Sequence, residues 1–159
     1  MSYPGMKDAV KHPRHMRITK DPVKLTIIRG MPGSGKSYHA RKLSLVGAKK
    51  IRIVEFDDFW KNKKGEYKFD PEIVMSCVEY ARAAVTHELL IEERPCIITG
   101  VFNRLEYMDY FRALCDTKNI PLEVLRMTGN YGNIHGVPED KLKEMRDTFE
   151  DCEGEITVK

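Results

Sequence analysis

The chain has 159 residues and a formal net charge of +3, with 42% of residues hydrophobic and 32% charged. That length allows one domain with a buried core. No apolar run approaches the roughly 20 residues of a membrane-spanning helix, and the amino terminus lacks the apolar core of a secretion signal, so a soluble cytoplasmic protein is expected.

The positive charge is unevenly spread. Residues 1–20 hold Lys7, Lys11, Arg14, Arg17 and Lys20 against the single acid Asp8, while the rest of the chain is slightly acidic. With Pro4, Gly5 and Pro13 and no sustained period, residues 1–22 read as a basic, largely disordered arm ahead of a domain over 23–152 and a tail over 153–159. Such an arm either touches a polyanion or is simply solvated. Cys77, Cys96, Cys115 and Cys152 are scattered without metal-ligand spacing, which favours reduced thiols over a disulfide frame or a zinc site.

From Lys24 onward, short apolar runs alternate with longer amphipathic ones. Residues 25–29, LTIIR, predict a buried strand, and 37–46 a helix stopped by Gly47. A second strand is expected over 50–56, then a loop ending in Asp70-Pro71, a helix cap followed by a first-turn proline. Ile73, Cys77, Ala81, Val85 and Leu89 recur four apart, one side of a long helix over 72–93. A strand over 96–101, a helix over 104–119 and a strand over 121–127 follow; residues 128–136, TGNYGNIHG, are a glycine-rich loop before a helix opened by Pro138. Strands alternating with helices imply parallel pairing through right-handed crossovers, hence a three-layer α/β sheet.

Between the first strand and the first helix lies Gly30-Met31-Pro32-Gly33-Ser34-Gly35-Lys36-Ser37, which fits the P-loop (Walker A) pattern G-x-x-x-x-G-K-[ST]. Glycines let several amide N–H groups turn inward and approach a phosphate closely, and the following helix adds the positive end of its dipole. Lys36 is expected on the β- and γ-phosphates of ATP, the Ser37 hydroxyl on Mg²⁺, and Tyr38 beside the nucleotide. A nucleoside triphosphate is therefore the expected ligand.

In such sheets ligands lie past the carboxyl ends of the strands. Asp57 and Asp58 follow the second strand, where a carboxylate either takes the proton of an acceptor hydroxyl, or holds magnesium through water, or merely caps a loop or short helix; Asp57, the first to leave the strand, is the candidate base. Trp60, Tyr67 and Phe69 either stack on an acceptor base or pack on the sheet. Lys61, Lys63, Lys64 and Lys68 either hold an anionic acceptor or face solvent. Asn103 is a candidate for orienting the acceptor or a water. His135 is better suited to fixing a hinge through the backbone than to acid–base work.

RGMPGSGKSYHARKL, VEFDDFW…GEYKFDPE and NIHGVPEDKLKEM together resemble the single-domain P-loop kinases akin to phage 5′-polynucleotide kinases, over roughly residues 24–150. The resemblance implies a P-loop NTPase of the nucleotide and nucleic-acid kinase type with a short lid over 128–136. It also implies a general-base aspartate matching Asp57 and ATP as donor. Three positions depart from it. Trp60 stands where such kinases tend to have an acceptor-binding arginine, Val101 where they have an acid, and Gly132 where the lid supplies an arginine. Arg126, ending the fourth strand, is the candidate replacement for that last charge, or else a surface residue.

The leading expectation is a kinase moving the γ-phosphate to a polynucleotide 5′-end, a nucleotide or a small metabolite. The other is an ATP-binding module or degenerate kinase that switches without transfer.

Overall fold

The computed structural model describes residues 21–56, 63, 64, 66, 68, 70–132 and 136–159. The first strand, β1 (Leu25–Gly30), is buried at every position, as a strand must be that has neighbours on both edges and helices over both faces. It pairs in parallel with β3 (Cys96–Gly100) on one side and β4 (Leu122–Met127) on the other. Outside β3 lies β2 (Arg52–Glu55), and outside β4 lies β5 (Ile156–Val158), both again parallel. The order β2-β3-β1-β4-β5 reverses direction between β1 and β3, and ligands of such sheets collect at the carboxyl ends around that switch point.

Alternation along the strands divides the buried side chains between two faces. Ile28, Ile97, Leu125 and Met127 pack with Ala40 of α1 (Lys36–Ser44). On the other face, Leu25, Ile27, Ile98 and Val124 pack with Ala81 and Val85 of α2 (Val74–Thr86) and with Phe111 and Cys115 of α3 (Asp109–Lys118). Each Ile, Leu, Val, Met or Phe among them contributes about 1.5–3 kcal/mol by leaving water. The expected three-layer parallel architecture is the observed one.

Element ends show where sequence spacing stops being informative. Asp70 Oδ1 accepts from Glu72 N at 2.9 Å, and Pro71 opens the turn as expected, but that turn is a 3₁₀ piece, Pro71–Ile73, before α2 begins. The helix expected over 72–93 is regular only to Thr86 and then widens into a π turn, His87–Ile91, where Glu92 N donates to His87 O at 3.0 Å. The widened turn tucks Glu88, 4% exposed, against the Arg94 guanidinium, whose Nε and Nη2 donate to it at 3.1 and 3.2 Å. The final helix, α4 (Glu139–Asp147), starts with Pro138 as its cap residue rather than within its first turn.

Residues 153–159 are not a free tail. After a turn at Gly154 (φ 80°), Ile156 and Val158 pair with Leu125 and Met127, and Thr128 N donates to Val158 O at 2.8 Å. A three-residue strand is too short to show a period. The arm's last two positions also belong to the domain. The Asp21 carboxylate accepts from Ala48 N at 2.9 Å in the turn after α1, whereas residues 1–20 lie outside the described residues. Among the described residues no helix is long and apolar enough to cross a membrane.

What holds this carboxyl-terminal segment is a buried arginine. Arg29, fully buried in β1, donates to Phe102 O (3.1 Å), Glu150 O (2.7 Å) and Glu155 Oε2 (2.9 Å), and its guanidinium stacks 4.4 Å from the Phe149 ring. Arg126, its register partner on β4, lies 4.5 Å from the same ring and pairs with Asp151 and Glu155. Two guanidinium groups against one ring, sharing the Glu155 carboxylate, close that corner of the sheet.

Candidate active site

The chain leaves β1 at Gly30 and turns through residues 31–35 into α1. Ser34 N donates to Met31 O at 3.1 Å and His39 N to Gly35 O at 3.0 Å, which fixes the turn and starts the helix. Gly33 (φ 78°) and Gly35 (φ 94°) adopt left-handed conformations that other residues enter only with strain. At Gly33 a β-carbon would also run into the Gly132 carbonyl. Gly35 caps α1 without any side-chain hydrogen bond, and the first turn of α1 contains no acid. The opening N–H groups and the positive helix end are thus left for an anion.

Lys36, 5% exposed, folds back across the turn and donates to Gly30 O (2.9 Å) and Met31 O (3.0 Å). The ammonium therefore lies over the loop it is expected to serve. Ser37 and the exposed Tyr38 follow in the first turn of the helix. Ser34 is buried beneath, its Oγ without a hydrogen-bond partner among the described residues.

Three strand exits surround the loop. At β3, Gly30 N donates to Val101 O at 3.4 Å, and Phe102 (φ 43°) then turns inward, 6% exposed, its ring edge-on to Phe56 at 5.5 Å and Phe111 at 6.3 Å. Holding a non-glycine residue in that conformation costs about 1–3 kcal/mol, which the aromatic packing offsets. An apolar plug thus occupies the exit where an acid was sought. Asn103 Nδ2 donates to Thr148 Oγ1 at 2.7 Å, and Asn103 O accepts from Glu150 N at 2.7 Å. Its amide ties the β3 exit to the end of α4, which accounts for it structurally.

At the β4 exit, residues 128–132 form a strap lying directly on the loop. Tyr131 N donates to Gly33 O at 2.8 Å, and the Tyr131 ring covers Gly129 and Gly35, where added β-carbons would lie 2.6 and 3.0 Å from it. The lid expected over 128–136 thus touches the loop through its residues 128–132, and what sequence reading missed is Tyr131 as the residue that makes the contact. Met127 Cε approaches Gly35 on the α1 side, whereas Arg126 projects to the opposite face, into the Phe149 stack. Arg126 is therefore not brought to the loop as a charge clamp. Strand alternation separates it from the phosphate site, and its Nη1 pairs with Asp151 and Glu155.

At the β2 exit, Glu55 is half-buried, and its Oε1, removed from water, has no hydrogen-bond partner among the described residues. Leaving such an oxygen unpaired costs about 1–3 kcal/mol. Asp57, Asp58, Trp60, Lys61, Tyr67, Phe69 and His135 lie outside the described residues; Lys63, Lys64 and Lys68 are exposed.

A cleft of about 660 Å³ opens at the other end of the sheet, bounded by Asp21, Arg52, Glu88 and Arg94. Arg52 and Arg94 converge on Glu88 there, and Asp21 caps a turn. Strand direction and paired charge both argue that nucleotide chemistry belongs at the carboxyl ends instead. Among the described residues no group of three or more His, Cys, Asp or Glu side chains is placed to hold a metal ion. The loop amides, Lys36 and Ser37 suit the triphosphate of a nucleotide with its magnesium.

No family model matches the sequence. Among solved structures the chain is similar to a gluconokinase from Sinorhizobium meliloti 1021, with a TM-score of 0.59 and 16% identity over 87% of this chain and 83% of that one. It is similar to Chaetomium thermophilum Kti12 in complex with ADP-AlF3, with a TM-score of 0.58 and 14% identity over 84% and 88%. A chain of the Pnkp1/Rnl/Hen1 complex matches with a TM-score of 0.53 and 22% identity, over 80% of this chain and 40% of that one. The chain has the P-loop kinase fold.

Proposed function

We propose that the protein is an ATP-dependent phosphotransferase that moves the γ-phosphate of ATP to an acceptor hydroxyl. The observation that carries the reading is a glycine turn, closed by a buried lysine, feeding an uncapped and acid-free helix start at the switch point of a parallel sheet. Amides of residues 33–37 bind the β-phosphate, and Lys36 moves from the Gly30 and Met31 carbonyls onto the β- and γ-oxygens, where transferred charge develops. Magnesium held by Ser37 would neutralise the phosphate oxygens. Asp57 takes the proton of the acceptor hydroxyl as it attacks, Asp58 supports it, and Trp60 and Lys61 contact the acceptor. The strap over 128–132, already hydrogen-bonded to Gly33, excludes water that would waste ATP.

For the acceptor, a polynucleotide 5′-end ranks first on the resemblance carried by GEYKFDP and NIHGVP. A nucleotide ranks second. A small polyol is third, a class that the gluconokinase likeness keeps open. The apolar plug at the β3 exit favours a second reading, an ATP-binding switch without transfer.

The deciding experiment incubates the protein with γ-labelled ATP and magnesium, alone and with 5′-hydroxyl oligonucleotides, nucleotides and sugars. Label transferred to one acceptor class, and lost in Asp57→Asn, is the expected result. Tight ATP binding with no transfer across the panel would replace the kinase by the switch.

A further inference from the structure

We propose that Glu55 stands in for the carboxylate missing after β3 and holds a water of the magnesium ion that accompanies ATP. The inference rests on the ATP-binding reading above. In P-loop sites the cation needs, beyond the serine hydroxyl, an acid that accepts from its coordinated waters, because magnesium keeps several of them. Here the β3 exit offers Val101 and a buried phenylalanine. The neighbouring strand offers an acid one row away, since Glu55 is the register partner of Thr99.

Two geometric arguments aim that carboxylate at the loop. Val54 packs in the cluster beneath α2, and Ile53 packs in the cluster beneath α1. Period-2 alternation therefore sends Glu55 to the α1 side, the side of the phosphate loop. Height along the sheet agrees. Ile51 N donates to Ser44 O at 2.8 Å, so the start of β2 lies level with the end of α1. From that shared level the strand climbs four residues to Glu55, roughly 13 Å at about 3.3 Å per residue. The helix climbs back seven residues to Ser37, roughly 11 Å at about 1.5 Å per residue. Glu55 and Ser37 thus reach the same tier.

The third argument is chemical. Glu55 Oε1 is an acceptor that is out of water and has no donor among the described residues. A metal-bound water is a strong donor, so the hydrated cation supplies what the oxygen lacks. The ionic charge also justifies keeping a carboxylate at a half-buried strand end, where an apolar side chain would pack at less cost.

The test compares ATP affinity by titration calorimetry with magnesium and with a chelator, in wild type, Glu55→Gln and Glu55→Met. Both variants are expected to lose roughly tenfold of the magnesium-dependent gain in affinity, with metal-free ATP affinity unchanged. Glu55→Met should also melt at a higher temperature, because it removes the unpaired oxygen, and so keeps the test open if Glu55→Gln folds poorly. A full magnesium gain in either folded variant would overturn the assignment. So would an equal loss with and without metal, the mark of a merely structural residue. Wild type that binds no ATP in either buffer would instead strike down the reading on which the proposal stands.

Discussion

The two faces of the central strands are built from the same backbone yet serve opposite ends. Toward α1, β1 and its neighbours present Gly30, Thr99 and Glu55, small or polar near the carboxyl end, so the loop and helix start can approach. Toward α2, the same level carries Arg29, Arg126, Phe102 and Phe149, locked together by stacking and by Glu155. One face leaves the first N–H groups of α1 without a side-chain cap, and the other turns its two arginines onto the protein itself. A cation near a strand end is therefore catalytic or structural according to the parity of its position, and a one-residue shift exchanges the roles.

The largest expected effect tests the locked face. Arg29→Met keeps the side-chain volume but strips the donors from Phe102 O, Glu150 O and Glu155, leaving a carboxylate that is 8% exposed with less compensation. Breaking a buried pair costs about 3–5 kcal/mol, and the shared Arg126 contact keeps this case near the lower end. A loss of unfolding free energy of that size is expected from urea titration, whereas Arg126→Ala should lose roughly 1 kcal/mol, as befits a part-exposed partner, and leave turnover unchanged. Turnover abolished in well-folded Arg126→Ala protein would erase the division between faces.

The open face is tested by Lys36→Ala. Under the proposed function, in which this charge meets the transferring phosphate, the substitution should lower kcat/KM by roughly 10²–10³-fold. Lys36 contacts loop carbonyls rather than the hydrophobic clusters, so a melting temperature within a few degrees of wild type is expected. Wild-type turnover in that variant would remove the phosphate-loop assignment.

Legibility follows the same division. The loop was readable because its chemistry is local: eight consecutive residues specify glycine turns, a helix start and a lysine, and no distant contact is needed to interpret them. The alternation of LTIIR, CIITG and PLEVLRM with helical stretches likewise fixed layers and strand direction, since parallel strands leave few topologies. The surroundings of Arg126 were not legible, because they depend on Phe149, Asp151 and Glu155, more than twenty positions onward, and on the face it points to. Asn103 looked like an acceptor contact for the same reason, its partner Thr148 being 45 residues away. β5 escaped notice because three residues gain strand character only from β4 beside them.

The smallest effect concerns the amino end of the locked face, where Cys96 begins β3. Burial, and next the Glu88 carboxylate, push its thiol up to about 12, whereas the unfolded thiol titrates near 9. A group whose folded pKa is raised contributes stability that is fully present below the unfolded value and is lost as pH climbs through the interval. Stability should therefore fall between pH 9 and 12 by up to roughly 1.4 kcal/mol per pH unit from this thiol, superimposed on other alkaline titrations. Cys96→Ala should flatten that part of the curve while costing some packing at neutral pH. The comparison is made by urea midpoints at pH 8, 9 and 10. Parallel losses in wild type and variant would mean that this thiol reaches water in the folded protein, and that the locked face is looser at its amino end than its packing indicates.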